Sequence, residues 1–194
     1  MPKPTEPYQI YYWFKGEKFN GRSLAVHGML HYTNTPFIFK DPSDPKEGPQ
    51  ADWPSFAVPC ITCPDGTHIG QSVPVSVKVA KDVGLYPSGE LNELRALQVA
   101  ANAVDMLKEV INVDADRLPN EARTQKWLTV LENSLAANGS TGFFCGSSLT
   151  YADFHVFMAC HVWSGLHPIS VDLRGPLLTV HYAMMKPLLS KILL

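Results

Sequence analysis

Proline divides this chain. Eleven of its 16 prolines lie at or before Pro74, and Pro87 marks a seam beyond which long stretches carry almost no Gly or Pro. Proline has a fixed φ and no backbone N–H, so it breaks helices and is kept out of central strands. The half before the seam is therefore confined to short segments broken by turns. The half after it is free to form long helices. With 194 residues, 45% of them hydrophobic and 18% charged, the chain can bury a sizeable core without disulfides or a structural metal. The same composition excludes a disordered chain. Lys and Arg number 16 against 18 Asp and Glu, a net charge of −2, which argues against a nucleic-acid partner. No run approaches the ~18 unbroken apolar residues of a membrane span. The opening residues lack the apolar run of a signal peptide, and four cysteines without one fit a reducing compartment. A cytoplasmic location is expected.

Before the seam, Tyr8 to Phe14 is aromatic and β-branched and reads as a strand. Arg22 to Tyr32 reads as a short helix, and Thr35 to Phe39 as a second strand. Asp41 to Gln50 holds three prolines and a glycine and reads as a loop. Phe56 to Thr62 and His68-Ile69 read as two strands joined by the turn Pro64 to Thr67. Ser72 to Val83 is ambiguous: Val73, Val75, Val77 and Val79 alternate strictly, which by period alone argues for a strand.

Beyond the seam, Glu90 to Val113 carries Leu91, Leu94, Leu97, Ala101, Val104, Leu107 and Ile111 at helical spacing, which predicts one apolar face. Asn120 to Ala137 is a second helix, ended by Asn138-Gly139. A third begins at Thr150. There Thr150 and Asp153 form a capping box with Asp in place of Glu, and Leu149 and Phe154 a hydrophobic staple. A last helix follows Pro176, and Pro187 is expected to end or kink it.

The order of elements suggests a thioredoxin-like α/β domain over residues 1–84 and an all-helical bundle over 88–194. Three ordered segments make this specific. Tyr8-Gln-Ile-Tyr-Tyr12-Trp13 resembles the first strand of cytosolic glutathione transferases, with their catalytic tyrosine near its end. Val58-Pro59 through Ile69-Gly70-Gln71-Ser72 resembles the family's cis-proline strand and Gln-Ser clamp. Gly146 to Phe154 resembles the helix-capping motif of its C-terminal domain. Ala51-Asp52-Trp53-Pro54 and the tyrosine-led strand point within the family to the sigma class, which includes prostaglandin D synthases and lens crystallins. The resemblance runs from about Tyr8 to the C-terminus.

The resemblance implies a function and a site. Glutathione is the co-substrate and reacts as its thiolate. A free thiol ionises near pH 8.5, so a hydroxyl donating to the sulfur is needed to favour the charged form at neutral pH. Tyr12 is the implied donor. Tyr11 is the competing choice, because neighbouring strand residues face opposite sides and only one of the two can reach the site.

Gln71 and Ser72, at the start of a helix over Ser72 to Val83, are implied to hold the γ-glutamyl carboxylate. Pro74 then falls in that helix's first turn, where a missing N–H costs nothing. Val58, beside Ala57 and before a cis Pro59, is implied to pair with the cysteinyl backbone. Trp53 is implied to line the glycine end. Only five residues separate Trp53 from Pro59, however, with no lysine among them, and the family's loop there is longer. Lys46 is the substitute this chain offers. Arg22 is implied to support the first helix and the active site. Asp105 is implied to reach across a homodimer to the α-amino group of the neighbour's glutathione.

Two functions follow. The first is a transferase that conjugates or isomerises a small apolar electrophile, in the manner of a detoxification enzyme. The second is a non-catalytic binding or structural protein on the same fold. Cys60 and Cys63 are spaced as Cys-x-x-Cys but fall in a strand, where i and i+3 point to opposite faces, so they read as structural thiols. The seven histidines show no metal-ligand spacing, and no metal is expected.

Overall fold

The computed structural model describes residues 6–13, 21–43, 54–111, 113–166 and 175–193. The chain divides into two compact units. One is Met1–Tyr86 with Leu189–Leu194, and the other is Pro87–Leu188.

The first unit is a mixed four-stranded sheet in the order β2-β1-β3-β4. The strands are β1 (Tyr8–Tyr11), β2 (Phe37–Lys40), β3 (Cys60–Thr62) and β4 (His68–Gly70). β1 runs parallel to β2 and antiparallel to β3, and β4 pairs antiparallel with β3. The parallel β1–β2 pair requires a crossover. It is supplied by α1 (Leu24–Tyr32), entered through a 3-10 turn at Gly21–Ser23. α1 packs against α2 (Ser72–Val83). This is the thioredoxin-like arrangement expected for the first half.

The valine run is helical, against its alternation and with the resemblance. Its buried positions are Ser72, Val75, Ser76, Val79 and Ala80, which is the i, i+3, i+4, i+7 spacing of a helix face. Val73 and Val77 flank that face half-buried. Pro74 lies in the first turn, and Gly84 closes the helix at φ 79 with its N–H on the Ala80 carbonyl, a left-handed cap that favours glycine. Tyr8 ties the sheet to this helix by donating its hydroxyl to Asp82 Oδ2 at 2.7 Å. Lys78 holds the same carboxylate from one turn away.

Two expected strands are shorter than read. β1 ends at Tyr11 and β3 begins only at Cys60, after the proline. The turn between β3 and β4 is as read. Thr67 N–H bonds back to Asp65 Oδ1 at 2.9 Å, and Cys63 N–H to the Thr67 carbonyl at 2.8 Å.

The second unit is helical: α3 (Glu90–Lys108), α4 (Glu121–Ala137), α5 (Tyr151–Leu166) and α6 (Pro176–Leu188). α5 is its centre, buried from Tyr151 to Cys160 without a break. At its start the capping pair differs in detail from the reading. Asp153 accepts from Thr150 N–H at 2.7 Å as expected, but the Thr150 hydroxyl also donates to this carboxylate, at 3.0 Å, rather than accepting from the Asp153 amide. The second oxygen of Asp153 accepts from Phe144 N–H at 3.0 Å. Burial pushes this carboxyl upward, against those hydrogen bonds and the facing His181, which favour its charge.

Over its first turns α3 faces inward with residues other than its leucines, while Leu107 is buried as expected. Buried are Ala96, Val99, Ala100, Ala103, Met106 and Leu107. Leu91, Leu94 and Leu97 stay 59%, 57% and 38% exposed. α3 packs chiefly on α5, and three alanines let the two backbones approach where leucines would hold them apart. α6 begins on a cap borrowed from α4: Leu177 and Leu178 N–H both donate to the Glu132 carboxylate, at 3.1 and 2.8 Å. It continues one residue beyond Pro187 before it stops. Among the described residues no helix is long and apolar enough to cross a membrane.

Candidate active site

The sheet register brings Tyr12, Pro59 and Gln71 to one end of the sheet. Tyr11 pairs with Cys60, and Cys60 with Gly70. One step beyond that row lie Tyr12, Pro59 and Gln71, at the ends of three adjacent strands. Strands lie about 4.8 Å apart. The row from Tyr12 to Gln71 thus spans two gaps, ~10 Å.

Tyr12 follows the last residue of β1, its N–H on the Lys40 carbonyl at 3.2 Å. Its hydroxyl oxygen accepts the backbone N–H of Arg22 at 3.0 Å. This amide lies in the 3-10 turn that leads into α1, where N–H groups lack helical partners. The phenol's own proton is not used in that bond. Burial raises the Tyr12 pKa, and the Arg22 amide and charge oppose the rise. The group is therefore a protonated donor at neutral pH, with an oxygen already polarised by an N–H.

Tyr11, the competing tyrosine, is engaged elsewhere. It is buried, donates to Gln9 Oε1 at 2.9 Å and meets the His68 ring edge-on at 6.0 Å. Arg22 enters this geometry through its main chain, which no side-chain pattern could have shown.

The Val58–Pro59 peptide is cis. Ala57 and Val58 are half-buried, and Pro59 is buried. Gln71 is exposed and sits at φ 73, ψ 139, a left-handed conformation that suits glycine and costs another residue about 1–3 kcal/mol. Ser72 follows, buried, as the first residue of α2. No acidic residue lies in the first turn of α2, and Gln71 makes no side-chain cap there. Strain held at an exposed residue beside the start of a helix, whose first N–H groups have no partner within the helix, is a candidate ligand-binding feature. Nothing in the order of residue types marks that strain.

Asp105 is exposed on α3 in the second unit. It lies three turns after Leu94, on the stripe that carries the exposed leucines. Trp53 and Lys46 fall outside the described residues. Cys60 and Cys63 are free and buried. Burial pushes their thiols up to about 11 and about 12, so both stay protonated and inert, as expected of structural cysteines.

Residues 106–186 match the family model described as the glutathione S-transferase C-terminal domain. Solved structures match nearly the whole chain. One is a Nu-class glutathione transferase from Haemonchus contortus, at 22% identity and a TM-score of 0.74, covering 95% of this chain and 94% of that one. The fold is that of the glutathione transferases. A monomeric glutathione S-transferase from the hookworm Necator americanus matches at 18% identity and TM-score 0.73, over 96% and 95% of the two chains. The prostaglandin synthase D of Nilaparvata lugens matches at 17% identity and TM-score 0.70, over 94% and 93%. No curated protein sequence matches this one.

Proposed function

We propose that this chain is a glutathione transferase of sigma-like type, conjugating or isomerising a small apolar electrophile in the cytoplasm. Glutathione supplies the nucleophilic sulfur. The observation that carries the reading is the Arg22 N–H on the Tyr12 hydroxyl at 3.0 Å. It occupies an oxygen lone pair and leaves the phenolic proton to be given to a thiolate. A hydroxyl donating to an anion is a charge-assisted bond of about 1.5–3 kcal/mol. That equals about one to two pKa units, enough to bring a thiol from ~8.5 to near neutrality. Tyr12 thus holds its proton and lends a hydrogen bond.

The other residues bind and orient. Ser72 and the open amides at the start of α2 receive the γ-glutamyl carboxylate, with Gln71 beside them. The edge at Ala57, Val58 and Pro59 receives the peptide backbone of the cysteinyl residue in the manner of an added strand. The ~10 Å row takes the γ-glutamyl-cysteinyl part of glutathione, with the thiol toward Tyr12 and the γ-glutamyl end at Gln71, and leaves the glycine end outside it.

The homodimer belongs to this proposal. Leu91, Leu94 and Leu97 are too exposed to serve the fold. A contiguous apolar stripe of this kind favours an interface. Asp105 on the same stripe is then carried toward a partner chain, where it meets the α-amino group of the neighbour's glutathione. The Necator americanus neighbour is described as monomeric, so the fold alone does not decide the assembly.

Calorimetric titration with glutathione, and conjugation of a chloronitrobenzene on the same sample, test the reading. Binding with turnover is expected. Binding without turnover favours a carrier or an enzyme with a narrow substrate range. No binding at millimolar glutathione refutes the site.

A further inference from the structure

On the β4 side of the sheet, His68 joins two hydroxyls. Its Nε2 lies 3.1 Å from Ser55 Oγ, and its Nδ1 lies 3.1 Å from Thr62 Oγ1. Thr62 Oγ1 donates onward to the Tyr11 hydroxyl at 3.4 Å, and Tyr11 donates to Gln9 Oε1 at 2.9 Å. The order of donors assigns the tautomer. Thr62 spends its proton on Tyr11, so it accepts from Nδ1–H. Nε2 is then the bare nitrogen and accepts the Ser55 proton. Burial holds the ring pKa below its ordinary value, which keeps it in this neutral form.

Ser55 is three residues before Val58. It also lies against Gly70: a Cβ on Gly70 would fall 2.6 Å from Ser55 Oγ, 2.9 Å from Ser55 Cβ and 3.6 Å from the Ala57 carbonyl oxygen. Only glycine allows segment 54–59 to lie this close to the end of β4, one residue before Gln71. Thr62 and His68 face each other across β3 and β4, so the histidine anchors the segment to the same two strands that end at Pro59 and Gln71.

We propose that His68 is a positioning residue for glutathione: through Ser55 it holds segment 54–59 against Gly70, and so sets the Ala57–Val58 edge relative to the Gln71–Ser72 pair. The role rests on the glutathione reading above. The histidine touches no reacting atom, so its loss acts on KM and not on the chemical step.

The test uses the full chain with His68→Ala, Ser55→Ala and the double substitution. Two readouts are taken on samples checked for unchanged circular dichroism. The first needs no ligand. Phe56 is fully exposed, so chymotrypsin cleavage after it reports release of segment 54–59, and it accelerates in each variant. The second is steady-state kinetics with varied glutathione. KM rises about three- to tenfold and kcat at saturating glutathione stays within twofold, with the double variant no worse than either single one. His68→Gln, whose amide reaches the Nε2 position, recovers part of the loss. Unchanged cleavage overturns the anchor. Faster cleavage with unchanged KM overturns the positioning role. A fall in kcat alone with lowered stability assigns His68 to the fold, against the proposal. A wild-type chain that binds no glutathione refutes the transferase reading and this role with it, while the cleavage result still judges the anchor.

Discussion

Replacing Tyr12 with phenylalanine removes one hydroxyl and leaves the ring packing in place. The lost bond, from a half-buried hydroxyl to a thiolate, is worth about 1.5–3 kcal/mol. The bound thiol pKa then climbs from ~6.5–7.5 back toward ~8.5. At pH 6.5 the ionised fraction falls about ten- to fiftyfold. At pH 9.5 the thiol ionises unaided, so the two proteins converge. Tyr12 itself stays protonated across this window, because burial lifts its pKa above the ordinary tyrosine value. The assay is kcat/KM for a chloronitrobenzene at saturating glutathione from pH 6 to 9.5, with thiolate absorbance of the bound complex read in parallel. The expected result is an acid limb displaced upward by one to two units. A loss of equal size at every pH would show that Tyr12 acts by shape. An undisplaced limb would show that the thiolate is stabilised elsewhere, and the case built on the Arg22 amide would fail.

Four further outcomes are expected. Gln71→Gly relieves the φ of 73, raising stability by about 1 kcal/mol in urea while calorimetry shows weaker glutathione binding. Asp153→Ala strands two backbone amides and a hydroxyl in the core, and costs about 3 kcal/mol or more by the same denaturation. His27 and His155 are buried and held down to about 4. The unfolded chain binds their protons first, so stability is full above pH ~6.5 and declines toward pH 4; His27→Leu should flatten part of that slope in a series of urea midpoints. Leu94→Glu puts a charge on the exposed stripe of α3 and should convert a dimer to monomers in sedimentation.

Much of the fold was legible because proline and capping chemistry are local. Pro74 already argued against a strand at Ser72 to Val83, and the buried set 72, 75, 76, 79 and 80 shows the helix its alternating valines concealed. Asp153 and Thr150 announced the start of α5, although the threonine hydroxyl found a different partner. The inward face of α3 over its first turns was misread for a physical reason. Hydrophobicity marks the leucines, but close helix packing selects the alanines, and a leucine stripe can serve a surface that one sequence does not contain. At the site, residue types pointed to Tyr12 over Tyr11 only by resemblance. The bond on the Tyr12 hydroxyl comes from a main-chain amide ten residues away, and the backbone angle of Gln71 depends on tertiary context. Neither leaves a mark in the order of side chains.

The row of strand ends also bears on how long the protein survives. A ligand laid from Tyr12 past Pro59 to Gln71 bridges three strands, and must be let go before they part. Occupancy is then linked to resistance against unfolding and proteolysis, growing by about 2.7 kcal/mol when glutathione stands a hundredfold above its Kd. On the glutathione reading, depletion of the co-substrate would shorten the half-life of the protein as well as starve it.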